Sequence, residues 1–252
     1  MNRQTYSMTK LGSEIHHLSV VDSTNNYAAK LISDGQLQNG SVIMADFQTN
    51  GRGQRGNSWQ SVSQDNLLFS LAFQPVSVAA DQQIRINWYT ALIWIKCCKR
   101  FSIDAQIKWP NDIFVGQQKL GGILIEQQIH GSNIAWSVVG CGINVNATPA
   151  LPNACSIFEL TNVRFQPKTV LNEFLDLYNG QIQLLYGDFQ ELKTAFEVEL
   201  FGKDTIQEFI DAQQQAWPAK IIGVDNQGKL LLEKNDVVQA YDLQQVRLVL
   251  PA

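Results

Sequence analysis

The chain has 252 residues, room for one large domain or for one domain with a small satellite. Apolar residues make up 45% and charged residues 17%, the balance of a packed globular protein and not of a disordered one. A net charge of −4 argues against the broad basic face of a genomic nucleic-acid binder, though a local cationic cluster stays open, and no window approaches the roughly 18 uninterrupted apolar residues of a membrane span.

Taken in chain order, MNRQTYSMTK lacks the apolar stretch of a signal peptide, so a cytoplasmic protein is expected. Glu14 to Val20 reads as a first strand. Asp22-Ser23-Thr24-Asn25 is rich in helix-capping residues, and a helix over Asn25 to Ser33 follows, with Tyr27, Ala28, Leu31 and Ile32 at helical spacing and Gly35 at its stop. Ser41 to Phe47 and Leu67 to Phe73 are strands. Ile84 to Phe101 is a buried helix. Gln106 to Lys108, Ile113 to Val115, Gly122 to Gln128 and Ala135 to Val139 are strands, the last two joined as a hairpin around His130-Gly131-Ser132-Asn133. Thr169 to Tyr186 predicts one amphipathic helix and Glu191 to Leu200 a second. From Phe201 the helical period fades into short strands, Ala219 to Val224, Lys229 to Glu233 and Val246 to Leu250, with a turn at Asp225-Asn226-Gln227-Gly228. The fold class is α+β, with a small β-barrel-like domain after residue 200.

Four stretches carry polar chemistry. GRGQRGNSW, Gly51 to Trp59, sets Arg52 and Arg55 among glycines, a backbone able to approach an anion closely and side chains that make forked bonds to it. An ordinary surface loop would have the same composition. A dinucleotide-binding glycine motif does not fit, since the third glycine is displaced and no clean strand-to-helix turn contains it. KWPND, Lys108 to Asp112, is a bend at Pro110 that presents a cation, an amide and a carboxylate, or is a structured turn satisfying itself. KLGGILIE, Lys119 to Glu126, puts a lysine and two glycines before a buried strand. GCGINVN, Gly140 to Asn146, ends a strand in glycines and two asparagines, suited to an adenine edge or to a turn. Cys97, Cys98, Cys141 and Cys155 contain no C-x-x-C pair and read as reduced, buried thiols. His16, His17 and His130 show no ligand spacing, so no protein metal site is expected.

In order and spacing, Asp22-Ser23-Thr24-Asn25, GRGQRGNSW, KWPND, KLGGILIE and GCGINVN together resemble the biotin–protein ligases (biotin–[acetyl-CoA-carboxylase] ligases), over roughly residues 15 to 250. The resemblance implies a central mixed β-sheet flanked by helices, the class II synthetase-like catalytic domain shared by biotin and lipoate ligases, over residues 1–200. It implies an SH3-like β-barrel over 201–252. It implies that biotin and ATP form biotinyl-5′-AMP and pyrophosphate, and that the biotinyl group then passes to one lysine of a biotin carboxyl carrier protein, a subunit of acetyl-CoA carboxylase. Arg52 and Lys119 match residues that contact the activated carboxyl and phosphate, and Asp112 matches a position near the acceptor lysine. Ser23, Thr24, Asn25, Gln48, Gly53, Gln54, Gly122, Leu124 and Gly142, with Arg52 and Lys119, match the biotin pocket. Arg55, Trp59, Lys108, Asn111, Asn144 and Arg247 match the ATP side. Magnesium is implied by ATP, held largely by its phosphates.

Gln54 departs from the family, which often has an arginine there, and Asn57 stands where a basic residue is common; weaker retention of the adenylate is expected. The Ser-Thr-Asn motif begins at Ser23, too early for a preceding DNA-binding winged helix, so a ligase-only form without nucleic-acid or membrane partners is expected, as a monomer or homodimer. Two other readings stay open from these residues: a lipoate or octanoate ligase of the same fold, and a biotin-binding protein without catalysis.

Overall fold

Residues 67–73 read LLFSLAF, and all seven are buried. A strand with no solvated face belongs at the middle of a sheet covered on both sides. In the computed structural model, which describes residues 10–60, 64–148 and 153–250, this strand lies near the centre of a seven-stranded sheet. Its strands are β1 (Ile15–Val21), β2 (Ser41–Gln48), β3 (Leu67–Phe73), β4 (Gln106–Lys108), β5 (Asp112–Val115), β6 (Gln118–His130) and β7 (Asn133–Ile143), in spatial order β1-β2-β3-β7-β6-β5-β4. β1 runs parallel to β2, and the other pairs are antiparallel. β6 and β7 form the expected hairpin, with His130 opposite Asn133.

The helices are α1 (Thr24–Ser33), α2 (Ile84–Arg100), α3 (Ile157–Thr161), α4 (Pro167–Gly180), α5 (Gln183–Tyr186) and α6 (Phe189–Val198). α2 is buried around most of its circumference, as its run of Trp88 to Ile95 demands. It packs with α4 on one face of the sheet, where Trp94 stacks on Phe174 with ring centroids 4.5 Å apart. α1 takes the opposite face, over β2, β3 and β7, with Ala28 against Ile43, Ala72 and Val138. The single helix expected over Thr169 to Tyr186 is broken at Gln181 and Ile182. The break lets Leu185 enter the core and hands its carbonyl, with that of Gly187, to the buried Arg85 guanidinium.

A second sheet holds β8 (Ile206–Asp211), β9 (Ala216–Val224), β10 (Leu230–Lys234), β11 (Val237–Tyr241) and β12 (Val246–Leu248), all antiparallel, in order β11-β10-β9-β8-β12. It has its own core of Phe209, Ala219, Ile221, Leu230, Leu232 and Val246 and fits a small barrel-like domain. Strands β8 and β11 go beyond the sequence reading. β11 lies at the sheet's edge, largely exposed, so burial imposes no clean alternation on it. Trp109 packs against both cores, and its indole N–H donates to the Gly228 carbonyl at 2.8 Å. Among the described residues no helix is long and apolar enough to cross a membrane.

Candidate active site

The face of the sheet beside α1 carries a cavity of about 350 Å³, the size of a small-molecule site. The sheet's register explains its floor. Ser70, Gly140 and Leu124 form one row across β3, β7 and β6; Leu68, Gly142, Gly122 and Asp112 form a second row that continues into β5. Strand glycines leave that floor flat. A Cβ on Gly140 would overlap the Asn25 amide, and one on Gly142 would overlap the Trp59 indole. The glycines of GCGINVN are therefore close-approach positions, and they seat the two polar walls.

The first wall is the Ser-Thr-Asn turn at the start of α1, where Ser23, Thr24 and Asn25 are all buried. The Gln48 side-chain carbonyl accepts from the Thr24 amide at 2.7 Å and from its hydroxyl at 3.1 Å. Ser70 Oγ lies 2.7 Å from Thr24 Oγ1 and 2.6 Å from Asn25 Oδ1. Asn25 donates to Glu126 Oε2 at 2.9 Å. Thr24, Asn25, Gln48 and Ser70, bonded to one another in this way, hold one geometry.

The second wall is cationic. GRGQRGNSW doubles back on itself, with Gly53 N–H donating to Asn57 and Trp59 N–H to Gly51. It presents Arg52, whose guanidinium donates to Asn26 Oδ1 and Glu126 Oε1. Lys119 Nζ lies 2.6 Å from Asp112 Oδ1 and 5.6 Å from the Trp59 ring centre. A β-bulge aims it: Ile113 pairs with Gly121 but Phe114 pairs with Lys119, so Leu120 is the extra residue. In a regular strand a residue three positions before Gly122 would point away from it, and the bulge restores Lys119 to the same face. Its Nζ falls 3.4 Å from where a Gly122 Cβ would stand. Lys108 Nζ lies 4.0 Å from Asp112 Oδ2. Burial depresses the Lys108 pKa; Asp112 opposes that shift, while Lys119 and Arg247 add to it. One carboxylate thus faces several cations, and the site has positive charge left for an anion.

The structure brings sixteen of the residues expected from sequence to this cavity: Ser23, Thr24, Asn25, Gln48, Arg52, Gly53, Gln54, Trp59, Lys108, Asn111, Asp112, Lys119, Gly122, Leu124, Gly142 and Arg247. Arg247 comes from β12, so the second sheet reaches the site, and with it Phe209, Ile221, Leu230 and Val246. Asn111 lines the wall, but its Nδ2 is already committed to the Ile123 carbonyl. Among the described residues the Trp59 indole N–H has no hydrogen-bond partner. Asn144 differs from expectation. It is 1% exposed and lies outside the cavity lining, because its Nδ2 donates to the Cys155 carbonyl at 3.0 Å and ties the end of β7 to the segment before α3. The Arg55 side chain lies outside the described residues. Sequence reasoning passed over Asn26, Ser70, Gly140, Glu126 and the apolar tail residues. The signals for Ser70 and Glu126 were there: each is the lone polar residue in an apolar strand run, LLFSLAF and GGILIE.

The chain is similar in sequence and in fold to biotin ligases. The bifunctional ligase/repressor BirA of Escherichia coli is 26% identical over 253 residues, covering 91% of this chain and 72% of that protein. The biotin–[acetyl-CoA-carboxylase] ligase of Paracoccus denitrificans is 32% identical over 136 residues, covering 52% of this chain and 55% of that one. The biotin protein ligase of Aquifex aeolicus, solved in complex with biotin and ATP, has the same fold, with a TM-score of 0.77 at 22% identity over 95% of this chain and 100% of that one. The model of the biotin/lipoate A/B protein ligase family matches residues 18–144, the stretch that contains the polar turn, the arginine loop, the bulged lysine and the glycine floor, and the chain belongs to that family.

Proposed function

We propose that this protein is a biotin–protein ligase, which activates biotin with ATP to biotinyl-5′-AMP and then transfers the biotinyl group to a lysine of a carrier protein. The observation that carries the reading is the joining, over one glycine floor, of a buried polar turn and a pair of cations, in a chain of this family. A compact polar head group with an apolar body suits the Ser23–Thr24–Asn25–Gln48 turn above Gly122 and Leu124. In the first step a carboxylate oxygen bonds to the α-phosphorus and pyrophosphate leaves. Two anions must meet, so fixed cations supply most of the catalysis. Arg52 and Lys119 both line the cavity and are the residues for that task. Lys108 and Arg247, with Trp59 and Asn111, serve the nucleotide, and Asn144 acts behind them by holding the strand end.

In the second step a neutral lysine amine attacks the acyl carbon and AMP leaves. Asp112, bonded to Lys119, orients that amine or takes its proton. The carrier is the biotin carboxyl carrier protein of acetyl-CoA carboxylase, the reaction is cytoplasmic, and the catalytic and barrel domains meet near residue 200. Among the described residues no three or more His, Cys, Asp or Glu side chains gather into a metal site. Magnesium enters with ATP as part of the substrate, held largely by its phosphates.

ATP–pyrophosphate exchange tests the reading. Exchange that depends on added biotin is the expected outcome. Exchange with lipoate alone would move the protein to the other branch of the family, and binding of biotin without exchange would leave a binding protein. Arg52→Ala and Lys119→Ala should each lower biotin-dependent exchange on the order of 10²-fold, the scale of removing one oxyanion donor. Near-normal turnover in both would sink their assignment.

A further inference from the structure

Glu126 has no role in the reading above and does not line the cavity. Its position is nonetheless specific. On β6 it shares a face with Leu124 and Gly122, two and four residues earlier, and its two carboxylate oxygens have different partners. Oε2 accepts from Asn25 at 2.9 Å, and Oε1 accepts from Arg52. Asn25 is held in turn by Ser70, and Arg52 by Asn26, which donates to Asp22 Oδ2 at 2.7 Å. The carboxylate therefore joins the buried polar turn to the arginine of the glycine-rich loop. The Arg52–Glu126 pair is more than a third exposed on both sides, and so exposed a pair adds little to stability. A negative charge beside the cation that must receive an anion also weakens that cation. Neither fold stability nor ligand affinity accounts for it.

We propose that Glu126 is a positioning residue for the adenylation step: it anchors the Arg52 guanidinium to the Ser-Thr-Asn turn, so that the remaining N–H groups of this glycine-rich loop's arginine point at the reacting carboxylate before it arrives. The price of that orientation is some cationic strength. Asn25 supplies the rigid end of the link. It cannot turn its amide without losing Ser70, so a glutamine at 126 keeps one of the two bonds at most. The inference rests on the ligase reading, and it assigns orientation, not substrate contact, to this carboxylate.

The experiment is a double-mutant cycle in biotin-dependent ATP–pyrophosphate exchange, with wild type, Glu126→Gln, Arg52→Ala and the double variant, each also followed by thermal melting. Glu126→Gln should lower kcat about tenfold with the KM for ATP within about twofold, since misorientation acts on the transition state more than on binding. Its melting temperature should stay near that of wild type. In the Arg52→Ala background the same change should cost almost nothing more, because the two act as one unit. Full activity in Glu126→Gln, or losses that multiply in the double variant, would overturn the assignment. If Glu126→Gln does not fold, Glu126→Asp, which keeps the charge but shortens the reach, enters the same cycle with the same expectations. Absence of exchange in wild type would instead overturn the ligase reading itself, so the two failures are distinct.

Discussion

Gly140 shows how much one missing atom decides. Ser70 and Leu124 flank it in the sheet, so its backbone cannot retreat, and the Asn25 amide occupies the space a Cβ needs. Gly140→Ala must displace Asn25 and break its bonds to Ser70 and Glu126. We expect biotin-dependent exchange to fall on the order of 10²-fold, the scale of a 1 Å misplacement in a site. Unchanged exchange would show that Asn25 has room to move. The four cysteines are decided at this scale too. All are free and buried, and burial pushes Cys97, Cys141 and Cys155 up to about 12, with Cys98 higher still. A raised folded pKa contributes stability that is complete below the unfolded value, about 8.5, and is lost as pH climbs toward 12. Stability should therefore decline above about pH 9. A thiol reagent at pH 8 should label no cysteine in the native protein and all four in urea; rapid native labelling would contradict their burial.

At the scale of elements, α3 has only five residues and depends on its ends. Ser156 Oγ accepts from the Glu159 amide, and the Glu159 carboxylate accepts from the Ser156 amide, a reciprocal capping box. The segment entering it carries Cys155, whose carbonyl holds Asn144. Ser156→Ala should cost about 1 kcal/mol, read as a lower urea midpoint at unchanged slope. No change would mean that packing of Ile157 suffices. The Ser-x-x-Glu signature stood in the sequence, but five residues are too few for apolar periodicity to mark a helix. The α4–α5 break was illegible for the opposite reason. Val170, Phe174, Leu177, Tyr178, Ile182 and Leu185 keep helical spacing straight through it, and Arg85, roughly a hundred residues distant in the chain, receives the carbonyls at its end.

For the molecule as a whole, the question is how the second sheet is held over the site. Trp109 sits next to Pro110 in KWPND and packs into both cores, and its bond to the Gly228 carbonyl spans 119 residues. Glu197 of α6 makes a further link, accepting from the Val224 amide at 2.9 Å. Trp109→Phe keeps a ring in place and removes the bond. The expected loss is about 1 kcal/mol, seen as faster amide exchange over residues 206–248 while the central sheet keeps its protection. Equal protection throughout would show that apolar contact alone seats the tail. Arg247 enters the cavity by this docking, so the same variant also tests whether the tail's placement matters to nucleotide use.

The amino-acid sequence by itself determined the mixed architecture, most strand and helix positions, and the polar clusters, because periodicity, capping residues and glycine-rich turns act over a few neighbours. Leu67 to Phe73 and the β6–β7 hairpin needed nothing more. Tertiary structure alone decided which clusters meet. Cross-strand register put Ser70, Gly140 and Leu124 in one row under Asn25, the bulge at Leu120 kept Lys119 on the face of Gly122 and Asp112, and a bond from loop to sheet fastened Arg52 to Glu126. Register and bulges depend on partners tens of residues away, and a single-residue shift reverses which face a side chain occupies. Local patterns therefore name the chemistry, while long-range pairing sets its geometry.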